Sequence, residues 1–261
     1  MSDDMFDAGK KSQPVRDASQ SPHKHIYRGN GSPRGDKLLA RLGGFCSLDA
    51  RASAVVRSLY SSPRRTRQSQ IIYPEGADCP SLYIVEDGWL IAERYLRDGR
   101  RQVLRTYVPG EIAGISEFAR KRSSSSLKVA EAGIVYSVTA ARFEQTVYES
   151  QSLNSALFGL MREEILALSD RIQAIGRMTA RERLVFFILR HLERLRIVDP
   201  GVENSMNFPL SQTDIGDALG LTHTYVSKIM RELDRQRWIE RHHHRITVLE
   251  EKRMWEFLGV V

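Results

Sequence analysis

Residues 210–238, LSQTDIGDALGLTHTYVSKIMRELDRQRW, carry the pattern of two short helices around a tight turn. Such a pair needs a small residue where the helices press together, a turn residue that tolerates positive φ, and apolar residues facing inward. Gly216, Gly220 and Val226 fill those places in register. Ile215, Ala218, Leu219, Leu221, Ile229, Met230 and Leu233 add apolar positions at helical spacing, leaving His223, Thr224, Ser227, Lys228 and Arg231 for an outer face. Ser211 and Asp214 form an S-x-x-D cap ahead of the first helix, and Thr222 caps the second. Residues 239–248, IERHHHRITV, have β-prone ends around a basic centre, as expected of a two-stranded wing. An ordinary helical hairpin with solvated charges is the alternative. Agreement of caps, turn and wing favours a winged helix-turn-helix built to lie in DNA.

The chain has 261 residues, 41% of them hydrophobic, enough for two domains with real cores. No apolar run approaches the roughly 20 residues that span a bilayer, and the start, MSDDMFDAGKK, has an early acidic cluster and no apolar stretch. A cytoplasmic location without a membrane partner is expected. Cys46 and Cys79 are the only cysteines, which excludes a disulfide framework and a four-cysteine cluster within one chain; both read as inert thiols. The net charge of +7 favours a polyanionic partner. Lys228, Arg231, Arg235, Arg237, Arg241 and Arg245 gather in the second helix and wing, opposed there by Glu232, Asp234 and Glu240, so phosphate contacts are expected in that region.

Residues 1–40 are rich in Ser, Asp, Lys, Gly and Pro and read as a flexible tail, with Lys24, Arg28, Arg34 and Lys37 as solvated cations. Residues 41–145 are read as a β-roll. Between 70 and 138, runs such as SLYIVEDG, WLIAERYLRDG and RQVLRTYVPGE predict about eight antiparallel strands, with hairpin turns at Asp87-Gly88 and Asp98-Gly99. Residues 146–178 are read as a dimerisation helix. Phe158, Met161, Ile165, Leu168, Ile172 and Ile175 alternate steps of three and four, a heptad seam on which two copies zip together. Leu153, Leu157 and Leu160 make a second stripe suited to the chain's own β-domain. A capping box at Thr179 and Glu182 opens the next helix and marks the start of a DNA-binding domain, residues 179–261.

This α+β order of antiparallel β-roll, long helix and C-terminal winged helix-turn-helix resembles the CRP/FNR family of bacterial transcription regulators over roughly residues 45–250. The stretches YPEGA-x-x-x-SLYIVEDGW, DGRRQVLRTYVPGEIAG and LSQTDIGDALGLTHTYVSKIMREL carry the likeness. The resemblance implies a homodimer whose paired second helices enter successive major grooves of pseudo-palindromic double-stranded DNA, about 34–36 Å apart, with RNA polymerase as a further partner. It places His223, Thr224 and Lys228 at base-reading positions, with Arg231 one turn on, and Ser211, Gln212 and Thr213 where phosphate is anchored. Ser227, His242 and His243 are expected to add phosphate contacts. Lysine can donate to guanine O6 and N7, and a helix start favours phosphate.

The sensory pocket departs from the family pattern. Cyclic-nucleotide-binding relatives carry a Gly-Glu pair that holds the ribose and an Arg-Ser pair that binds the cyclic phosphate. Here Gly114 is followed by Ile115, and the ungapped Arg-Ser places hold Ser123 and Ser124, with Arg122 displaced by one. Isoleucine accepts no hydroxyl, and phosphate without a guanidinium loses its strongest contact. Cyclic AMP is therefore disfavoured and the effector is unassigned, with operation without a ligand preferred. A one-residue gap restoring Arg122, with Glu117 as substitute carboxylate, keeps a nucleotide-like effector as the alternative. No histidine lies between His25 and His191, so a conventional haem site lacks its ligand, and no cofactor is expected. His242-His243-His244 does not converge on a metal, because consecutive strand residues face opposite ways. With no nucleophile–base pair, Walker loop or HExxH motif, catalysis is not expected. The competing function is a sensing module acting mainly through protein contacts; Lys228 and Arg231 favour DNA.

Overall fold

Strands rich in β-branched and aromatic residues build a six-stranded antiparallel sheet: β1 (Pro63–Arg65), β2 (Ile71–Tyr73), β3 (Ser81–Tyr95), β4 (Arg101–Tyr107), β5 (Ile112–Ala113) and β6 (Ser126–Thr139). The main path runs β1-β6-β3-β4, with β2 paired to β6 and β5 to β3. The computed structural model describes residues 35–78, 81–118 and 120–259. Cys79 and the tail cations Lys24, Arg28 and Arg34 lie outside the described residues.

The sheet has six strands rather than about eight, because Asp87-Gly88 does not turn a hairpin. It sits inside β3, where the pairing with β6 slips between Val85 and Trp89. Gly88 has φ +78°, and a Cβ on it would lie 2.5 Å from the Glu131 carbonyl oxygen; one on Gly133 would lie 2.0 Å from that of Asp87. The two glycines let the strands press together through a bulge, so the chain bends without ending. Asp98-Gly99 does turn the β3–β4 hairpin, with Gly99 at φ +83°.

Two helices, α1 (Asp36–Gly43) and α2 (Ala50–Ser58), pack at one end of the sheet. The first begins inside the stretch expected to be tail: Leu38 and Leu42 are buried, and Lys37 donates from Nζ to the Glu86 carbonyl at 2.7 Å. The leucine spacing of DKLLARLG gives this segment an apolar face that composition over 40 residues conceals. After α3 (Ala140–Tyr148) comes α4 (Gln151–Arg177), 27 residues long. Leu153, Ala156 and Leu160 turn one face of α4 into the core that holds Leu38, Val56, Ile112 and Phe143.

The C-terminal part contains α5 (Ala180–Arg196), β7 (Ser205–Asn207), α6 (Gln212–Leu219), α7 (His223–Arg235), β8 (Ile239–His242), β9 (Arg245–Val248) and α8 (Glu251–Leu258). Thr179 and Glu182 make the expected capping box of α5. β8 and β9 pair antiparallel as the expected two-stranded wing, and β7 adds a third strand on the other edge of β9. β7 is too short to show a period of its own. The described residues form one compact unit, and one apolar cluster joins Trp89, Ile91, Val103 and Val108 of the sheet to Leu184, Ile188, Ile215 and Met230 of the helices.

Polar groups thread this joint. The His191 ring stacks on Trp89, with centroids 5.2 Å apart, and lies between Phe187 and Phe208. Burial, aided by the Arg194 charge, pushes its pKa down to about 3. The neutral ring donates from Nδ1 to the Phe187 carbonyl and accepts at Nε2 from the Thr106 hydroxyl, both at 2.7 Å. Buried Glu111 receives Arg194 at 2.6 Å and Arg41 at 3.3 Å. Burial alone would raise its pKa, but those guanidinium charges outweigh it and hold the carboxyl well below its usual range.

Candidate nucleic-acid interface

Ser211 and Asp214 close the start of α6 reciprocally: Ser211 Oγ accepts from the Asp214 amide at 3.0 Å, and Asp214 Oδ2 accepts from the Ser211 amide at 3.0 Å. Gly220 ends the helix at φ +68°. A Cβ on Gly216 would lie 2.5 Å from the Leu221 carbonyl oxygen, which is why a small residue is required where the helices meet. Thr222 Oγ1 then caps α7 by accepting from the Tyr225 amide.

The second helix buries Val226, Ile229, Met230 and Leu233. At 3.6 residues per turn the opposite side is the stripe Thr224, Lys228 and Arg231, continued by Arg235, and all four are exposed. Three of the four expected base-reading residues thus share one line. His223 falls on a flank beside Ser227, with Nε2 3.3 Å from Thr224 Oγ1. Arg231 donates from Nε to the Ser227 carbonyl at 3.4 Å. Tyr225, 45% exposed on the other flank, is an addition to the expected set; an aromatic residue outside the buried register is the signal that could have found it.

Among the expected phosphate contacts, Ser211 and Thr213 are exposed and Gln212 is half-buried at the start of α6. His242 and His243 sit at the β8–β9 turn, their Nδ1 atoms 3.2 Å apart. Among the described residues no group of three or more His, Cys, Asp or Glu is placed to hold a metal ion. No helix among them is long and apolar enough to cross a membrane.

A cluster that sequence reasoning missed joins the sheet to α6. Arg101 of β4 reaches Asp214 at 2.6 Å, Asp217 at 2.6 Å and Glu93 at 3.0 Å. Burial alone would raise the Asp214 pKa; hydrogen bonds from Ser211 and Arg101 outweigh it and hold the carboxyl below its ordinary value. Arg171 of α4 donates to the Ala218 carbonyl at 2.7 Å and also to those of Val103 and Leu104. Apart from Glu93, across the hairpin from Arg101, the partners are distant in sequence, so no local pattern announces the cluster.

The expected seam residues of α4 are all exposed, from Phe158 and Ile172 at 73% to Ile165 at 62%, Leu168 at 57%, Ile175 at 51% and Met161 at 39%. The sensory loop is the reverse. Gly114, at φ +94°, opens a short turn that buries Ile115. Glu117 Oε1 accepts from the hydroxyls of Ser124 and Ser125 at 2.7 and 3.1 Å, and Oε2 accepts from the Ser124 amide at 3.0 Å. Ser123 donates to the Pro74 carbonyl at 2.9 Å, and Arg94 Nε donates to that of Ser124 at 2.6 Å. Arg122 is exposed and pairs through its backbone with Asp78.

Residues 182–257 match the family model of a Crp-like helix-turn-helix domain, and residues 63–150 match that of a cyclic nucleotide-binding domain. The nitrogen fixation regulation protein FixK of Bradyrhizobium diazoefficiens is 29% identical over 223 residues, 81% of this chain and 93% of its own length. FixK of Rhizobium meliloti is 32% identical over 165 residues, 62% of this chain and 70% of its own. Among solved structures, FixK2 from Bradyrhizobium japonicum has a TM-score of 0.65 at 25% identity, covering 75% of this chain and 96% of that one. A CRP-family transcriptional regulator from Thermus thermophilus shares the fold, with a TM-score of 0.59 at 19% identity, covering 76% of this chain and 97% of that one.

Proposed function

Since the chain belongs to the CRP/FNR family of DNA-binding transcription regulators, we propose that it acts as a homodimer on a pseudo-palindromic operator and needs no small-molecule effector. The observation that carries this reading is the outward stripe Thr224, Lys228 and Arg231 on a capped helix whose other side is wholly core. Lys228 would donate to guanine, and Thr224 would pack on a thymine methyl or hydrogen-bond a base. His223, Ser227 and Tyr225, on the flanks, face the groove walls. Ser211, Gln212, Thr213, His242 and His243 supply phosphate contacts.

Six exposed apolar residues on α4 support pairing of two copies, which would hold the two reading helices in fixed register. The functional divisions proposed are residues 41–145 as β-roll, 146–178 as dimer helix and 179–261 as DNA-binding domain, with RNA polymerase as a further partner and the cytoplasm as the place of action. Cyclic AMP is disfavoured because the loop that would bind it is satisfied from within: Glu117 is occupied by Ser124 and Ser125, and Arg122 lies exposed at the surface. Selection of bound fragments from random duplex DNA, without added ligand, tests the proposal. A palindromic consensus supports it; enrichment only when small molecules are added removes ligand independence; no enrichment under either condition contradicts DNA reading.

A further inference from the structure

The start of α6 poses an electrostatic problem. Its free amides and dipole favour phosphate, yet Asp214 already accepts from the Ser211 amide there, and Asp217 lies one turn on. Carboxylates on a helix that approaches a polyanion repel it. Arg101 answers both: Nη2 meets Asp214 Oδ1 and Nε meets Asp217 Oδ2, each at 2.6 Å, while Nη1 meets Glu93 Oε2 at 3.0 Å. Its side chain is only 12% exposed, so salt in the medium screens these pairs less than surface ones. The neighbouring Gln102 donates to the Asp217 carbonyl, and Arg171 holds the Ala218 carbonyl at the far end of the same helix.

We propose that Arg101 is a positioning residue for DNA binding: from the β-sheet it neutralises Asp214 and Asp217 and fixes the phosphate-facing end of α6, so a side chain that never touches DNA sets DNA affinity. This rests on reading the start of α6 as a phosphate anchor. Loss of Arg101 leaves two carboxylates facing the backbone, and their repulsion weakens as salt rises. A purely structural role would give a loss that does not depend on salt.

The test uses the full chain and an operator selected by the wild type, with R101Q, R101K and the double variant R101Q/D217N titrated at two salt concentrations and melted in parallel. R101Q is expected to bind about ten-fold more weakly than wild type at ~50 mM salt, with the ratio shrinking towards ~200 mM. Asp217→Asn added to it is expected to recover at least half of the loss on a logarithmic scale, because it removes the exposed charge. Should R101Q not fold, R101K decides: a retained charge predicts affinity within about three-fold of wild type at both salts. Wild-type affinity in R101Q, a salt-independent loss that D217N does not relieve, or a large salt-independent loss in R101K overturns the proposal. If the wild type itself selects no sequence, the regulator reading fails first, and the two failures are told apart.

Discussion

The stripe on α7 and the loop around residues 114–125 are both lined with hydrogen-bonding side chains, and they differ in what those side chains have left to give. On α7, Lys228 makes no hydrogen bond or ion pair among the described residues, and Thr224 and Arg231 face solvent beside it. In the loop, one glutamate takes three hydrogen bonds from its own serines, and the next carbonyls are tied to Arg94 and Ser123. Unspent donors are a site awaiting something from outside; satisfied acceptors are structure. The contrast supports the proposed ligand independence through where polar capacity remains.

The largest expected effect comes from separating the two copies. Ile165→Asp combined with Ile172→Asp places charges in the proposed seam, and sedimentation should show a monomer. Operator affinity should then fall by at least about 100-fold, since linked half-sites no longer reinforce each other. A dimer that survives these changes would remove α4 from the account. Next, Lys228→Ala should cost ~1–3 kcal/mol per half-site in titrations at fixed salt. An unaltered titration would take that residue out of base readout.

Acid is expected to loosen the joint that carries the reading helices. His191 is neutral in the folded chain, its pKa pushed down to about 3 from the ordinary 6.5, so the unfolded chain binds more protons between those values. Stability from this residue is therefore fully present above pH 6.5 and lost as pH falls towards 3. From about pH 7 to about pH 5 the loss is on the order of 2 kcal/mol. Glu86, Glu131 and Glu164, whose pKa values burial raises, oppose it. Comparing melting of the wild type with His191→Gln across that range isolates the histidine, and equal pH dependence of the two would refute its part. The smallest effect belongs to the loop: millimolar cyclic AMP should leave operator affinity unchanged, and Glu117→Gln should alter it less than about three-fold, because no coupled ligand is lost. A clear response to the nucleotide would reopen the pocket.

Local chemistry makes the reading head legible in the sequence. Gly216, Gly220, the Ser211–Asp214 box and Thr222 each act over a few residues, and each occupies its expected place. The exposed apolar register of α4 is legible for the same reason. What stays hidden depends on pairs far apart in the chain. Asp87-Gly88 has the composition of a hairpin turn, but the close approach of Gly133 from β6 makes it a bulge. Arg101 and Asp214 are 113 residues apart, and His191 meets Thr106 across 85. The continuous core that joins the sheet to α5 has the same origin, since Trp89 and Val103 look like ordinary strand residues until their outward side is found covered. Glu117 is visible as a carboxylate near the expected pocket, yet its engagement by Ser124 and Ser125 follows from how the loop folds back.

A competition titration without effector, using the selected palindromic duplex and the same duplex with one half-site scrambled, addresses the central claim most directly. Two chains per palindromic duplex and an affinity at least ~10³-fold above that for unrelated DNA are the expected results, with binding to the scrambled duplex weaker by the loss of one half-site. One chain per duplex, or equal affinity for both oligonucleotides, would contradict it.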